Sequence, residues 1–131
     1  MTNINIISKC NNNCRYCFQK DDYAKTNQIM SYKDVSEAMD WASGSNIVGI
    51  TGGEPTLHPE IVEIVKKADS VFPQQMLFTN LLCDKKLIND LVSVASKMYW
   101  MINSTIDDEK MQFFDENLSF LNDVVPQPYS L

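Results

Sequence analysis

The sequence contains little of what marks the specialised classes of protein. Its 131 residues include only 4 glycines, 5 prolines and 1 histidine, and the absence of any biased tract excludes collagen-like, low-complexity and disordered chains. No apolar run approaches the roughly 18–20 residues that a membrane helix needs, and the N-terminus lacks the pattern of a signal peptide. We therefore expect one globular domain, a cytoplasmic location and no membrane partner.

Positive charge is also scarce. The chain has 11 Lys and Arg residues against 17 Asp and Glu residues, which gives a formal net charge of -6. Its isoelectric point is near 4.6. Because binding to phosphate backbones depends on clustered Lys and Arg, we do not expect nucleic acid as a partner.

Short apolar runs and helical periodicity alternate along the chain. Nearly continuous apolar runs predict buried strands at 4–8, 47–51, 76–79 and 98–103. Apolar residues at helical spacing predict helices at 35–42, 61–68, 87–95 and 111–121. Ser31 and Asp84 suit the caps of the first and third helices, Gly44 suits the end of the first, and Asp107 or Asp108 suits the start of the fourth.

This order of elements predicts the fold class. Strands that alternate with helices indicate right-handed crossovers and a parallel α/β sheet of about four strands. A doubly wound sheet and a barrel give the same alternation. In both architectures the loops after the carboxyl ends of the strands build the site.

Cysteine is the residue whose distribution is unusual. Cys10, Cys14 and Cys17 lie within eight residues after the first predicted strand, whereas the fourth cysteine, Cys83, is distant and is expected to be a free thiol. Such crowding does not suit a disulfide framework and favours metal binding. The spacing admits a structural zinc site with His58 as a fourth ligand, or an iron-sulfur cluster with three Cys ligands. Because it directly precedes Pro59, His58 is also typical of an ordinary residue at the start of a helix.

A double glycine follows the second predicted strand, in the segment T-G-G-E-P at 51–55. Adjacent glycines let the backbone approach a ligand closely or adopt positive φ. Glu54 places a carboxylate at the same strand end.

Together these two motifs resemble the radical S-adenosylmethionine (SAM) enzymes. The family's C-x3-C-x2-C pattern, with an aromatic residue before the third cysteine, is matched by Cys10, Cys14, Tyr16 and Cys17. Its glycine and glutamate motif is matched at 52–55. The resemblance covers 4 to about 107 and implies a truncated partial TIM-type (β/α)6 barrel, represented by its first four units.

The resemblance implies a role for each matched residue. Cys10, Cys14 and Cys17 would bind three irons of a 4Fe-4S cluster, and SAM would bind the fourth iron. Tyr16 would lie near the adenine. The methionine amino group would be received by the segment that consists of Gly52, Gly53, Glu54 and Pro55.

The family also commonly places ribose-binding polar side chains at the end of the fourth strand. Thr105 and Asp107 are the candidates here, with Asn103 and Ser104 close to them, although Asp107 also suits a helix cap. After the third strand, Asn80 is a further candidate for cofactor binding.

The activity implied is that of an iron-sulfur oxidoreductase with no catalytic residue beyond the cluster and the cofactor. One electron passed through the cluster would cleave SAM to methionine and a 5'-deoxyadenosyl radical, which abstracts hydrogen from a substrate. The implied partners are an electron donor such as a flavodoxin or a ferredoxin, and a substrate that is a small molecule, a peptide or a protein.

The match to the family ends before its fifth and sixth units. Residues 124–131 include Pro126 and Pro128, so we expect an irregular tail there rather than a central strand. An open sheet edge would then favour self-association. The alternative function is a non-catalytic zinc-binding or interaction module derived from the same fold.

Overall fold

The computed structural model of the chain describes residues 1–14, 17, 27–95, 97–125 and 129–130. Five parallel strands form one sheet, namely β1 (Thr2–Asn5), β2 (Ile47–Thr51), β3 (Gln74–Thr79), β4 (Met98–Ile102) and β5 (Tyr129–Ser130). Four α-helices alternate with them, namely α1 (Tyr32–Trp41), α2 (Ile61–Val71), α3 (Lys85–Val94) and α4 (Met111–Val124). The predicted parallel α/β class is confirmed.

The strand order distinguishes between the two architectures that the sequence left open. The strands lie in the order β1-β2-β3-β4-β5, each beside its predecessor in the chain. A doubly wound sheet reverses its order at a switch point, whereas a barrel adds each strand next to the last. Consecutive helices pack on one another, α1 on α2, α2 on α3 and α3 on α4. The arrangement is therefore that of a partial TIM-like barrel.

The core lies between the sheet and these helices. Ile50 is in register with Ile4 of β1 and with Leu77 of β3, and Leu77 is in register with Trp100 of β4. All four side chains are buried. The helices cover them with side chains at the predicted helical spacing, including Val35, Met39, Ile61, Ile64, Val65, Ala68, Ile88, Leu91, Phe114 and Leu121. Full burial of such a side chain contributes about 1.5–3 kcal/mol, so this layer dominates stability.

The helix ends follow local chemistry. Ser31 Oγ accepts a hydrogen bond from the Asp34 amide at 3.1 Å, and the Asp84 carboxylate accepts one from the Leu87 amide at 2.7 Å, which confirms both predicted caps. The prediction that Gly44 ends α1 is wrong, because the helix already closes at Ala42, whose amide donates to Ala38 O at 3.0 Å. In the described part of the chain, no helix has the length and apolar content of a membrane span.

Three of the four predicted strands differ from the prediction at one or both ends, and the smallest difference is in β4, which ends at Ile102 rather than at 103. The first strand was expected at 4–8, but β1 ends at Asn5 and the backbone of the next residues turns toward other partners. Met30 N donates to Ile6 O at 2.9 Å, and Gly53 N donates to Ile7 O at 2.7 Å. The third strand begins at Gln74, earlier than its apolar run, because Gln74 pairs with Ile47 of β2 and the backbone of Gln75 pairs with Val48. The side chain of Gln75 is buried and donates to Val65 O at 3.2 Å.

The tail was expected to be irregular, and this is wrong for part of it. Tyr129 pairs with Trp100 and Ser130 pairs with Met101, so β5 extends the sheet beside β4. The two prolines at 126 and 128 precede the paired residues, and the ladder therefore does not require the amide hydrogens that proline lacks.

Candidate functional site

The loops that follow the first four strands converge at the carboxyl edge of the sheet. The loop that follows β1 carries the three clustered cysteines, and we call its described residues, 9–14 and 17, the cysteine loop. Three hydrogen bonds of 2.8 Å each join it to its neighbours: Glu54 N to Lys9 O, Asn80 Nδ2 to Asn11 Oδ1, and Asn12 Nδ2 to Thr105 O. The cysteine loop is thus attached to the loops after β2, β3 and β4.

The two glycines at 52 and 53 make room for the start of the cysteine loop. Gly52 has φ +155°, and a Cβ atom there would overlap the carbonyl oxygen of Ile7. At Gly53 a Cβ atom would overlap the carbonyl oxygens of Ser8 and Lys9. The predicted positive φ is found at Gly52, and the group that both glycines approach in the structure is the backbone at the base of the cysteine loop.

Glu54 is a buried carboxylate with a full set of donors. Its side chain is 1% exposed. Oε1 accepts hydrogen bonds from Thr56 N at 3.1 Å, Thr56 Oγ1 at 2.7 Å and Thr79 Oγ1 at 2.6 Å, and Oε2 accepts one from Asn80 N at 2.7 Å. Burial raises the pKa of Glu54, while these bonds favour the charged form and act in the opposite direction. The carboxylate joins the ends of β2 and β3 and faces the interior.

The turn after β3 is held from three sides. Asn80 Oδ1 accepts a hydrogen bond from Leu82 N at 2.9 Å, and Leu81 is in the left-handed region with φ 61°. Asn11 Nδ2 donates to Leu82 O at 2.8 Å. From α4, the buried Asn117 donates to Leu81 O and to Cys83 O, both at 2.7 Å. A left-handed conformation is unfavourable for leucine, and these bonds compensate for it.

Cys14 is surrounded by polar groups from two loops. Its Sγ accepts hydrogen bonds from Asn12 Nδ2 at 2.9 Å and from Asn103 Nδ2 at 3.0 Å. Thr105 O lies 3.6 Å from the same sulfur, where it accepts the thiol hydrogen. Cys10 has a longer contact, 3.9 Å from Asn80 Nδ2 to its Sγ.

A charged pair closes the outer side of the cysteine loop. Lys110 Nζ donates to Asn11 O at 2.7 Å and to Asp107 Oδ2 at 2.9 Å. Asp107 Oδ2 also accepts a hydrogen bond from Asn13 N at 3.2 Å. Asp107 precedes a 3-10 turn (Asp108–Lys110) without a side-chain cap bond. Its predicted cap role is therefore wrong, because its carboxylate is directed to the cysteine loop instead.

His58 has both ring nitrogens engaged away from the cysteines. It is buried, with Nδ1 accepting from Glu60 N at 3.0 Å and Nε2 lying 2.7 Å from Met30 O. A zinc ligand needs one free ring nitrogen. The Cys3His arrangement is thus disfavoured, and the helix-start interpretation of His58 agrees with its place just before α2.

The thiols of Cys10, Cys14 and Cys17 are of the ligand type that an iron-sulfur cluster takes. Across the described ranges, no group of three or more His, Cys, Asp or Glu side chains is arranged to hold one metal ion. A cluster takes each thiolate on a separate iron, so its ligands need not meet at one point. Burial raises the pKa of Cys10, and the negative charges of Glu54, Cys14 and Cys17 add to this. Bound iron would supply the compensating positive charge.

The remaining cysteine is separate from this group. Cys83 is buried, and burial, followed by the charges of Glu54 and Asp84, raises its pKa to about 12. It is a free thiol, as predicted, and its protonated form packs in the core.

The structure brings together most of the residues that the sequence singled out. The cysteine loop, the 52–55 segment, Asn80, Asn103, Thr105 and Asp107 share one edge, whereas Tyr16 lies outside the described residues. Sequence reasoning missed Asn11, Asn12, Lys110 and Asn117 as anchors of the site. The run of three asparagines between Cys10 and Cys14 was one available signal, and a polar residue on the apolar stripe of α4 was another.

Comparison with known proteins agrees with this geometry. The family model described as the Radical SAM superfamily matches residues 4–116. The chain is 32% identical over 112 residues to a GTP 3',8-cyclase of Chlorobaculum tepidum, covering 82% of this chain and 33% of that protein. It is 36% identical over 67 residues to GTP 3',8-cyclase 1 of Mycobacterium tuberculosis, covering 48% of this chain and 19% of that protein. The chain therefore spans between a fifth and a third of these relatives.

The fold is also found in solved structures. Streptococcus suis SuiB bound to S-adenosylmethionine superposes with a TM-score of 0.76 and 18% sequence identity, over 98% of this chain and 32% of SuiB. The SuiB structure described without that ligand gives the same TM-score of 0.76 at 19% identity. Because the family model covers most of the chain, the chain belongs to the radical SAM superfamily, whose members use a 4Fe-4S cluster and S-adenosylmethionine.

Proposed function

We propose that this chain binds a 4Fe-4S cluster through Cys10, Cys14 and Cys17 and uses it to cleave SAM reductively. The observation that carries the proposal is the attachment of the cysteine loop to the loops after β2, β3 and β4. It supports the proposal because Cys10 Sγ and Cys14 Sγ contact side chains that follow β3 and β4, at the carboxyl edge of the sheet where barrels of this kind place their sites.

A cluster held by Cys10, Cys14 and Cys17 would supply the electron for reductive cleavage of the carbon-sulfur bond of SAM, which would give methionine and a 5'-deoxyadenosyl radical able to take a hydrogen atom from a substrate. The electron comes from an external donor such as a flavodoxin or a ferredoxin. The protein positions the reactants and limits the access of water.

We propose more specific roles for several of the candidate cofactor-binding residues. Because Glu54 already receives four hydrogen bonds in the interior, we assign the methionine amino group to the backbone of Gly52 and Gly53 rather than to this carboxylate. Thr105 is exposed at the same edge and stays our candidate for the ribose hydroxyls. Asp107 is half-buried and bonded to Lys110, so its part is to position the cysteine loop.

The names of the relatives suggest a more specific reaction, but we extend the proposal only to the shared step. The region common to this chain and the Chlorobaculum tepidum GTP 3',8-cyclase amounts to only 33% of that protein. We therefore propose SAM cleavage for this chain and leave the hydrogen-atom donor unassigned.

Anaerobic reconstitution tests the proposal. The chain is incubated with iron and sulfide, then with dithionite and SAM, and 5'-deoxyadenosine is measured. We expect about four irons and four sulfides per chain and formation of 5'-deoxyadenosine. Cys14→Ala should lose both, and Cys83→Ala, which removes a thiol outside the cysteine loop, should keep both.

The outcomes separate the two functions considered. One zinc per chain, insensitive to air and unaffected by the reconstitution, would overturn the proposal in favour of a structural zinc module. A normal cluster spectrum in Cys14→Ala would remove the assignment of Cys14 as a ligand.

A further inference from the structure

Two asparagine side chains of this site direct amide hydrogens at the same cysteine sulfur. Asn12 Nδ2 lies 2.9 Å from Cys14 Sγ, and Asn103 Nδ2 lies 3.0 Å from it. Asn12 belongs to the cysteine loop and Asn103 follows β4, so the two amides reach the sulfur from different elements.

The orientation of each amide is determined by its oxygen. Asn12 Oδ1 accepts a hydrogen bond from Asp107 N at 3.2 Å, and Asn103 Oδ1 accepts one from Thr105 N at 3.0 Å. A backbone N–H can only donate, so the oxygen end of each amide must face it. The NH2 end of each side chain consequently faces the sulfur.

The hydrogen bonding is uneven among the three cysteines. Cys14 has two short amide contacts, whereas the Asn80 amide is 3.9 Å from Cys10 Sγ. Cys17 is the most exposed of the three thiols. Among the residues that the structure describes, the short amide contacts are therefore concentrated on Cys14.

Amide N–H groups that donate to a cysteine ligand change the reduction potential of a bound cluster. Hydrogen bonds to cluster sulfurs, net charge and solvent exposure set the reduction potential of iron-sulfur centres. An N–H directed at a thiolate sulfur stabilises the negative charge on it, and the reduced cluster carries one more negative charge than the oxidised one. The donor therefore stabilises the reduced state more.

We infer that Asn12 and Asn103 are positioning residues whose amides raise the reduction potential of the cluster held by Cys14. The inference rests on the proposed function, because it requires the cluster. In this chain the two amides make reduction of the cluster by the external electron donor more favourable before SAM binds.

The test is an anaerobic redox titration of the reconstituted chain without SAM, followed by electron paramagnetic resonance. Asn12→Ala and Asn103→Ala should each lower the midpoint potential. Together they should lower the equilibrium constant for reduction about tenfold, which is about 59 mV for a one-electron couple. The matched control is Asn13→Ala, since Asn13 is exposed and its bond to Asp107 comes from its backbone.

A second variant keeps the size of the side chain. Asn103→Asp retains an oxygen for Thr105 N but presents a carboxylate oxygen to the sulfur in place of the donor. We expect it to lower the potential further than Asn103→Ala. An unchanged or higher potential in Asn103→Asp would overturn the inference.

Other results also decide the question. If the potentials stay unchanged and Asn103→Ala weakens SAM binding instead, Asn103 is a ribose ligand and the inference fails. An equal shift of the midpoint potential in Asn13→Ala would indicate general loosening of the cysteine loop and would overturn the inference. Loss of the cluster from both Asn103 variants would indicate that Asn103 has a purely structural role. Each of these results leaves the proposed function intact, whereas failure of the unaltered chain to assemble a cluster overturns both.

Discussion

At the scale of single residues, Glu54 is a motif residue whose side chain binds other parts of the protein. Its two carboxylate oxygens receive four hydrogen bonds, two of them from backbone amides of different loops. One of these amides belongs to Asn80, whose side chain contacts Asn11 in the cysteine loop. A substitution at Glu54 is therefore expected to shift the turn after β3, and with it the cysteine loop that this turn contacts.

We expect Glu54→Gln to lower the free energy of unfolding by about 1–3 kcal/mol. Thr56 N and Asn80 N donate to opposite oxygens and cannot reverse direction, so an amide NH2 group must face one of them. That backbone donor is then buried without an acceptor. Urea denaturation of the apo chain measures the effect.

The matched control for this change is Glu60→Gln. Glu60 is exposed before α2 and its side chain makes no cap hydrogen bond. Its replacement should change the unfolding free energy by less than about 0.5 kcal/mol. Equal stability of the two variants would show that the Glu54 network does not stabilise the fold.

At the scale of elements, the turn after β2 and the base of the cysteine loop are fitted to each other. Gly53 N and Glu54 N donate to Ile7 O and Lys9 O at 2.7 and 2.8 Å. Side chains at either glycine position would occupy the space of that backbone. The double glycine thus determines how close the cysteine loop comes to the sheet.

We expect Gly53→Ala to destabilise the chain by about 1–3 kcal/mol and to reduce the iron bound after reconstitution. Its Cβ would overlap two carbonyl oxygens, which as backbone atoms cannot move without shifting the cysteine loop. Unfolding in urea and iron content are the two measurements.

Gly44→Ala provides the comparison for this substitution. A Cβ at Gly44 has nothing within 4 Å. Alanine there should leave iron binding unchanged and should change stability by less than about 1 kcal/mol, in either direction. A Gly53→Ala chain that binds iron like Gly44→Ala would contradict the importance of the close approach.

At the scale of the whole molecule, β1 and β5 are the two end strands of the sheet in the described part of the chain. Consecutive helices cover one face, and β1 is the terminal strand on one side. Residues 28–30 pair with 6–8 beyond the end of β1, through Ser8 N to Gln28 O at 2.8 Å and Met30 N to Ile6 O at 2.9 Å. Among the described residues, Thr2–Asn5 itself has a strand partner on one side only, namely β2.

We expect this edge to support self-association that increases with protein concentration, because an edge strand presents backbone groups that a second copy can pair with. Size-exclusion chromatography with light scattering measures the mass. Asn5→Lys, which places a charge on the exposed face of β1, should shift the mass toward the monomer. A monomeric mass of the unaltered chain at every concentration would contradict the prediction.

Much of this architecture could be predicted because it depends on local patterns. The apolar runs predicted four of the strands, since a strand covered on both faces needs a continuous run. The caps at Ser31 and Asp84 depend on one side chain and an amide three residues later. The cysteine spacing and the double glycine are likewise contiguous, so the family could be identified without coordinates.

The contacts between loops were decided only by the tertiary structure. Glu54 faces the interior, Asn117 holds the turn after β3, and Asn11, Asn12 and Lys110 hold the cysteine loop through contacts that join residues up to 99 positions apart. The same holds for β5, whose two residues pair only because β4 offers an edge beside them. Local sequence determined which residues form each strand, helix and motif, whereas the direction of each polar side chain depends on partners that only the folded chain brings within hydrogen-bonding distance.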